Sequence, residues 1–580
     1  MTFLCQIVVS HWSSCYIILN FSVLKSLNNP MKRIFTLATL LAFGTLTANA
    51  QCVEAPKNRV LLVGDSWASF MNADQTITAG LKILGHSDKK FTSSVVIAEN
   101  GAQTDDFLTQ TKQDAIQALI DANPSIDMIH LSIGGNDVMG DWNINYTQHQ
   151  TDSMQATVAT RLEEVIEFLK STRPGIRVFW AGYAYPNFEE VITTSGVGSI
   201  HPFYDTWDGM GQPTFLQINT LLNAFSDSVA AYTDADPLVD FVRAQAILQY
   251  TYGQATPLGV APGGTYPAFT QPLPLGDPSY PSPKETMRLY AGIFTDCFHL
   301  TAAAYETMFV YQGEHFYQNY FMDDMYALSE GGNMDGSVSS AGDISSTIMM
   351  GESGGNEVAA VVSFNTQQMA DTTLAGASIF LRRESITGTN PIAMNDVVVT
   401  MVNGTLGTTS EVEAVDYVDT GDASGEPCKH GSFNSNSKDG HWLRLDLTAE
   451  MLANISASDH IQFMISVPGF TGGSITFNDA SDPSKAPKLN LKYGEEPSSV
   501  TEIRAAKELP VYPIPTVGPL TVDVATNSVQ SIDVINVLGA VVLRPVVSNN
   551  KIDISSLPNG SYILRITTEE GVSAKRIIKR

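Results

Sequence analysis

Basic residues are scarce in this chain. Its 580 residues include 33 Lys and Arg against 60 Asp and Glu, which gives a formal net charge of −27 at pH 7. Binding to phosphate backbones and to anionic lipid surfaces requires clustered Lys and Arg. The composition therefore argues against nucleic acid and anionic membranes as partners, and it favours a soluble, exported protein.

Cysteine is also rare, with five in the whole chain. Once a predicted leader is removed, Cys52, Cys297 and Cys428 remain, an odd and small number that excludes a disulfide scaffold. We expect Cys297 to be a small buried packing residue and not a reactive thiol. Neither HExxH nor CxxC spacing occurs, so the sequence indicates no metal site and predicts no cofactor.

The leader is predicted at residues 31–50, MKRIFTLATLLAFGTLTANA. Its basic start, apolar stretch and A-x-A ending are typical of a secretory signal peptide, with cleavage before Gln51. Because such a signal begins at the N-terminus, the true start is predicted at Met31, and residues 1–30 are predicted to be disordered upstream sequence. A lipid anchor on Cys52 is not expected because Gln51 is too large for the position before a lipidated cysteine. No transmembrane segment is predicted in the mature chain.

Four short motifs carry the chemistry of the first half of the chain. Three of them follow apolar, β-branched runs at residues 59–63, 93–98 and 126–133. Ser66, Gly101 and Asn136 should therefore lie just past the carboxyl ends of strands, where open parallel sheets bind ligands. In chain order the motifs are RVLLVGDSW with Ser66, ENGAQ with Gly101, LSIGGND with Asn136, and TDCFHL with Asp296 and His299.

Together these residues would form and activate a nucleophile. A serine hydroxyl attacks poorly until a base takes its proton, and His299 is the candidate base for Ser66. Asp296 would orient the imidazole and stabilise its cation. The developing alkoxide needs fixed donors, which the backbone N–H groups of Ser66 and Gly101 and the side-chain amide of Asn136 would supply. Glycine at position 101 is expected to admit close backbone approach. The set predicts an esterase.

These residues match the four blocks of the SGNH or GDSL hydrolase family, which the chain resembles over residues 57–326. The resemblance implies the same roles for the five residues named above. It also implies a three-layer α/β/α flavodoxin-like domain with a parallel five-stranded sheet, assigned to residues 51–328. The first block reads GDSW where GDSL is commoner, a change beyond the nucleophile.

Each motif also has an ordinary structural interpretation. GDS after a strand is often a plain turn, and GGND is typical of a helix cap. Their occurrence in the family's order favours catalysis. GESGG at residues 351–355 fits the G-x-S-x-G pattern, but that motif requires a following helix, whereas EVAAVVSF predicts a strand.

Helices are predicted at residues 105–121, 154–170, 215–232 and 301–320, and further strands at 177–181 and 238–241. Five strands with crossover helices imply a parallel sheet covered on both faces. His299 is predicted to open the last helix.

The Pro- and Gly-rich run at residues 257–283 predicts a lid or a binding wall. Nearby aromatic residues would either stack on a sugar ring or an aryl acyl group, or merely fix a coil to the surface, and the sequence leaves both open. These residues are Tyr204, Trp207, Tyr266 and Phe269.

Residues 329–493 are rich in Gly, Ser, Asn and Thr with alternating short strands, which predicts a β-sandwich. This accessory module resembles the DNRLRE-type modules of secreted bacterial enzymes, which implies carbohydrate binding or a spacer function. After a linker at 494–508, residues 509–580 resemble the type A sorting domain of the type IX secretion system, with YPIPT where YPNPT is usual. That resemblance implies a second small β-sandwich, the secretion machinery as a partner and transport across an outer membrane.

The prediction is a secreted Gram-negative serine esterase that acts on carboxylic esters, first of all on acyl groups of a polysaccharide. Two alternatives remain open. One is a lipase or esterase for lipids and small esters, and the other is a catalytically silent surface adhesin.

Overall fold

The computed structural model describes residues 55–370, 373–392, 396–432, 437–494, 511–514, 516–522, 529–535, 541–545, 551–568 and 571–580. The predicted upstream segment, the signal peptide, Cys52 and residues 495–508 of the linker lie outside the described residues. Among the described helices, none has both the length and the apolar character needed to cross a membrane.

A five-stranded parallel sheet lies at the centre of the first half of the chain, with strand order β2-β1-β3-β4-β5. This confirms the predicted α/β class. The strands are β1 Lys57–Gly64, β2 Lys89–Thr92, β3 Met128–Ser132, β4 Arg177–Trp180 and β5 Val239–Phe241.

Helices cover both faces of this sheet. Alternate residues of β1 enter two separate hydrophobic cores: Val60 and Leu62 on one face, Leu61 and Val63 on the other. Side chains of a strand alternate between faces, so the two cores define three layers. The helices are α1 Ser66–Ala73, α2 Thr76–Ile83, α3 Gln110–Ala122, α4 Gly135–Asp141, α5 Gln148–Ser171, α6 Phe188–Thr194, α7 Tyr204–Gly209, α8 Phe215–Thr233, α9 Ile247–Tyr252 and α10 Ala302–Gln312. A π-helical turn, Gly313–Tyr317, extends α10 to a short helix, Gln318–Tyr320.

One predicted strand was wrong, and one predicted helix begins later than expected. The strand at residues 93–98 is a turn in which Val95 is 81% exposed, and β2 supplies the pairing with β1 instead. The helix at 105–121 is a 3₁₀ turn, Thr104–Leu108, followed by α3, because Thr109 has an extended backbone.

Antiparallel, β-rich sheets follow in the C-terminal region of the described chain, as predicted. Strand β8, Met325–Leu328, pairs with the last strand of the accessory module, β20, Lys488–Tyr493. Residues 349–356, which contain GESGG, form a tight hairpin of two strands without a helix.

The accessory strands are β9 Gly336–Ser339, β10 Ile344–Ser345, β11 Met349–Ser353, β12 Asn356–Phe364, β13 Leu374–Gly388, β14 Val398–Asn403, β15 Ala423–Gly425, β16 Cys428–His430, β17 Trp442–Asp446, β18 Ile461–Ser466 and β19 Gly473–Phe477, with α11 Ala449–Asn454. The C-terminal strands are β21 Val511–Tyr512, β22 Pro519–Val522, β23 Val529–Ile535, β24 Val541–Leu543, β25 Lys551–Asp553, β26 Gly560–Thr568 and β27 Gly571–Lys579.

The accessory module shares a core with the α/β domain. Phe380 and Trp442 of the module belong to the same buried cluster as Leu84 and Phe321 of the α/β domain. Arg444 of the module also forms a 3.0 Å ion pair with Asp88. Apolar burial of this kind joins the two regions into one packed body.

Candidate active site

Ser66 lies at the junction between β1 and α1. Gly64 has φ +150°, and a Cβ at that position would be 1.9 Å from the carbonyl oxygen of Ser132, so only glycine fits there. Asp65 is the N-cap of α1, and Ser66 is its first residue. The backbone N–H of a first helical residue has no intrahelical acceptor. The strand-to-helix turn therefore presents the hydroxyl and the N–H of Ser66 together.

A chain of hydrogen bonds connects Ser66 to His299 and Asp296. Nε2 of His299 is 2.7 Å from Oγ of Ser66, and Nδ1 of His299 is 2.8 Å from Oδ2 of Asp296. The other carboxylate oxygen of Asp296 accepts from the backbone N–H groups of Phe298 and His299 at 3.0 and 2.9 Å. Asp296 is 1% exposed, and its described hydrogen-bond partners are the donors of Phe298 and His299. Such a chain is able to move a proton from the hydroxyl to the imidazole.

His299 does not open a helix, so that prediction was wrong. It lies in β7, Phe294–Leu300, which forms an antiparallel hairpin with β6, Met287–Tyr290. The helix begins at Ala302 because the side chain of Thr301 accepts from the N–H of Ala304 and caps it.

Asn136 lies at the start of α4, just after Gly134, which has a left-handed φ of +109°. Nδ2 of Asn136 donates to the carbonyl of Ala102 at 2.9 Å, and Nε2 of Gln103 donates back to the carbonyl of Asn136 at 3.4 Å. A side-chain amide has two N–H donors, so one remains beyond the bond to Ala102. These two hydrogen bonds fix the position of the GGND motif relative to the ENGAQ motif.

Gly101 has φ +81°, and a Cβ there would meet no atom within 4 Å. The left-handed backbone favours glycine at this position. The expectation that glycine here also admits close backbone approach stays a prediction.

Asp137 is a positioning residue that sequence reasoning missed, although it ends the GGND motif. Its carboxylate is fully buried and accepts from the backbone N–H and the hydroxyl of Thr104 at 3.0 and 2.6 Å. Burial raises the pKa of this carboxyl above its usual range. Asp137 thus ties the loop after Gly101 to the helix that carries Asn136.

Asp65 and Tyr183 form a second missed pair. Asp65 accepts from the N–H of Trp67 at 2.9 Å and from the hydroxyl of Tyr183 at 2.6 Å. Burial raises the pKa of Asp65 to about 7, and these two hydrogen bonds oppose the rise. Tyr183 follows β4, so the rule that sites lie at carboxyl ends of parallel strands was a usable signal for it.

A pocket of about 430 Å³, part of it open to solvent, lies beside Ser66. Ser66 and Asn136 both line it, and most of the remaining lining is apolar. The side chains in this wall include Val138, Met139, Pro186, Ile218, Leu222 and Phe298.

The aromatic residues of the predicted binding wall lie elsewhere. Trp207 and Tyr266 are 7% and 8% exposed, and the Trp207 indole donates to the carbonyl of Pro213 at 3.1 Å. These two are buried packing residues, whereas Phe269 is 67% exposed. Cys297 is fully buried, as predicted, and burial raises the pKa of its thiol. No group of three or more His, Cys, Asp or Glu side chains that could hold a metal ion occurs among the described residues.

Residues 45–311 match the GDSL-like Lipase/Acylhydrolase family, and residues 510–580 match the Secretion system C-terminal sorting domain family. No curated protein matches the chain. The chain is an enzyme that hydrolyses ester bonds. More particularly, it carries a GDSL-like lipase/acylhydrolase domain and, at its C-terminus, a type IX sorting domain, which indicates secretion or attachment at the cell surface. Neither match covers residues 329–493, so the resemblance to DNRLRE-type modules stays a prediction.

Three solved structures are similar to the first half of the chain. A lipase from a goat rumen metagenome is 9% identical, with 44% of this chain and 94% of that chain covered and a TM-score of 0.24. A carbohydrate esterase family 3 protein from Talaromyces cellulolyticus is 11% identical, with 45% and 97% covered and a TM-score of 0.25. An extracellular lipase from Streptomyces rimosus is 15% identical, with 44% and 97% covered and a TM-score of 0.25.

Proposed function

We propose that the protein is a secreted serine esterase that hydrolyses carboxylic esters through an acyl-enzyme on Ser66. The observation that carries this proposal is the buried hydrogen-bond chain from Oγ of Ser66 through His299 to Asp296, at 2.7 and 2.8 Å. A histidine held between a serine and a carboxylate is the arrangement that activates a serine hydroxyl.

In the first half-reaction, Nε2 of His299 takes the hydroxyl proton while Oγ of Ser66 attacks the ester carbonyl carbon. The resulting alkoxide accepts hydrogen bonds from the N–H groups of Ser66 and Gly101 and from the amide of Asn136. When the intermediate collapses, the alkoxy group leaves with the proton from Nε2. Water then repeats the attack with His299 as base, releasing the acid and restoring the Ser66 hydroxyl.

Polysaccharide-linked acyl groups are the first substrate class that we propose, because the accessory module resembles modules of secreted enzymes of which some bind polysaccharide. Lipids or small esters are the second, and the apolar lining beside Ser66 favours them. Binding of the full-length Ser66→Ala variant to an insoluble acylated glycan, compared with an insoluble uncharged polymer, tests the first. Equal retention on both materials would contradict glycan binding.

Export is proposed to use the signal peptide at residues 31–50 and then the sorting domain, so that the enzyme acts outside the outer membrane. A catalytically silent adhesin is the rival, and an activity assay separates the two.

The assay compares Ser66→Ala and His299→Ala with wild type on p-nitrophenyl butyrate. Each variant should lose nearly all turnover because both residues belong to one proton-transfer unit. Asp296→Asn should be less severe. Ser69→Ala on the same helix and His149→Ala on the surface are matched controls that should keep their activity. Near-wild-type turnover in a correctly folded Ser66→Ala variant would remove Ser66 from the mechanism.

A further inference from the structure

The pocket beside Ser66 lies on the side of Asn136 and not on the side of His299. Ser66 and Asn136 line it, whereas His299 and Asp296 are not among its lining residues. Because Nε2 of His299 has to protonate the leaving oxygen, the alcohol part of an ester must lie on the His299 side of Ser66. The acyl part, on the other side of the carbonyl carbon, then enters the pocket.

The chemistry of the walls restricts that acyl part. The ionisable groups in the lining are Asp65 and Tyr183, which are hydrogen-bonded to each other at 2.6 Å. Among the described residues, no Lys or Arg lines the pocket, so an anionic acyl group would meet a carboxyl without a compensating cation. A hydroxylated acyl group would have to leave its hydroxyls unpaired against apolar side chains, which is unfavourable.

Four apolar side chains of the lining differ in how deeply they are buried. Val138 and Ile218 are 1% and 3% exposed and belong to the surrounding core. Met139 and Leu222 are only partly buried and pack against that core. A change in the volume of Met139 or Leu222 therefore alters the pocket with less disturbance of the core than a change at Val138 or Ile218.

We infer that this pocket binds the acyl group of the ester and selects short, uncharged, apolar acyl chains, with Leu222 and Met139 setting the length limit. The inference rests on the proposed function, since it requires the acyl-enzyme on Ser66. It makes the acyl part, and not the alcohol, the part of the substrate that the enzyme recognises by shape.

The test uses p-nitrophenyl acetate, butyrate and octanoate. Leu222→Phe should lower kcat/KM for butyrate at least tenfold relative to acetate, because one methylene in an apolar pocket changes discrimination by roughly ten-fold or more. Leu222→Ala should raise the octanoate to butyrate ratio. Leu216→Ala is the control, since Leu216 lies on the same helix but is 53% exposed. Unchanged ratios in both Leu222 variants would overturn the inference.

A second comparison separates the two ends of the ester. Leu222→Phe should reduce hydrolysis of ethyl butyrate and spare butyl acetate, which has the same atoms with the longer chain on the alcohol side. Loss on butyl acetate alone would show that the pocket holds the alcohol. Failure of the proposed function is recognised independently, because folded Ser66→Ala would then still hydrolyse these esters.

Discussion

At the residue scale, the side-chain amide of Asn136 has two tasks, since one N–H is bonded to Ala102 and the other is proposed to face the reacting oxygen. Asn136→Ala should lower kcat by about a hundredfold, roughly 3 kcal/mol, with little change in KM, because the lost donor acts on the developing alkoxide. Steady-state kinetics on a soluble ester measure both constants. A raised KM with unchanged kcat would mean that Asn136 binds the substrate uniformly.

Asp65 should make stability depend on pH. Its pKa rises from 3.8 to about 7 on folding, so the folded state binds the proton more tightly than the unfolded state. The free energy of unfolding should therefore fall as pH rises from about 4 to about 7 and stay level above that. Asp65→Asn removes the cost of ionising this buried carboxyl. The difference in free energy of unfolding between the variant and wild type should therefore be more favourable to the variant at pH 8 than at pH 5, by on the order of 2 kcal/mol.

Denaturant unfolding at the two pH values measures this gain. Asp152→Asn on the surface of α5 is the control and should show the same small effect at both. A gain for Asp65→Asn that is equal at pH 5 and pH 8 would contradict a raised pKa for Asp65.

At the scale of elements, β17 carries Trp442 into the core of the α/β domain. The side chain is fully buried, its indole N–H lies 3.3 Å from a carboxylate oxygen of Glu314, and Nζ of Lys488 lies 4.9 Å from the ring centroid. Trp442→Ala should cost about 3 to 5 kcal/mol because the large cavity cannot close. The temperature of half-inactivation of esterase activity should fall accordingly, although Trp442 lies outside the α/β domain.

Val418→Ala is the matched control, since Val418 belongs to the same module but is 76% exposed. Loss of the Trp442 side chain without any change in thermal inactivation would show that the module unfolds separately from the enzyme.

At the scale of the whole molecule, the shared core changes what a truncation should do. Residues 329–493 were expected to form a separate unit, but their removal would expose Leu84 and Phe321, which are 0% and 4% exposed. It would also remove β20, the pairing partner of β8. Deletion of residues 329–580 should therefore lower both thermal stability and activity on a small soluble ester.

Deletion of residues 509–580 should leave that activity unchanged. The described contacts between this region and the α/β domain include Arg576 with Asp234, an exposed pair of the kind that contributes little. Equal kcat/KM after both deletions would mean that the accessory module is not needed for the catalytic fold.

Processing should remove both ends of the exported chain. Mass spectrometry of released protein should find Gln51 at or near the N-terminus and a C-terminus within residues 494–508. Intact Arg580 on released protein would contradict a cleaved sorting domain.

The sequence by itself predicted the class of the fold and the residues proposed for catalysis. Local chemistry is enough for this, because Ser66 and Asn136 follow β1 and β3 directly, and Asp296 bonds to the N–H of His299 three residues later. Hydrophobic periodicity also suffices for long helices such as α5 and α8.

Only the tertiary structure decided which distant residues support the residues proposed for catalysis. The bond from Tyr183 to Asp65, the bond from Thr104 to Asp137 and the contact of Trp442 with Glu314 join parts of the chain that no local pattern connects. The same is true of residues 93–98, where β-propensity predicted a strand and the structure has a turn. Burial sets these features, since a buried polar group or ring is stabilised by whatever partner the fold brings to it.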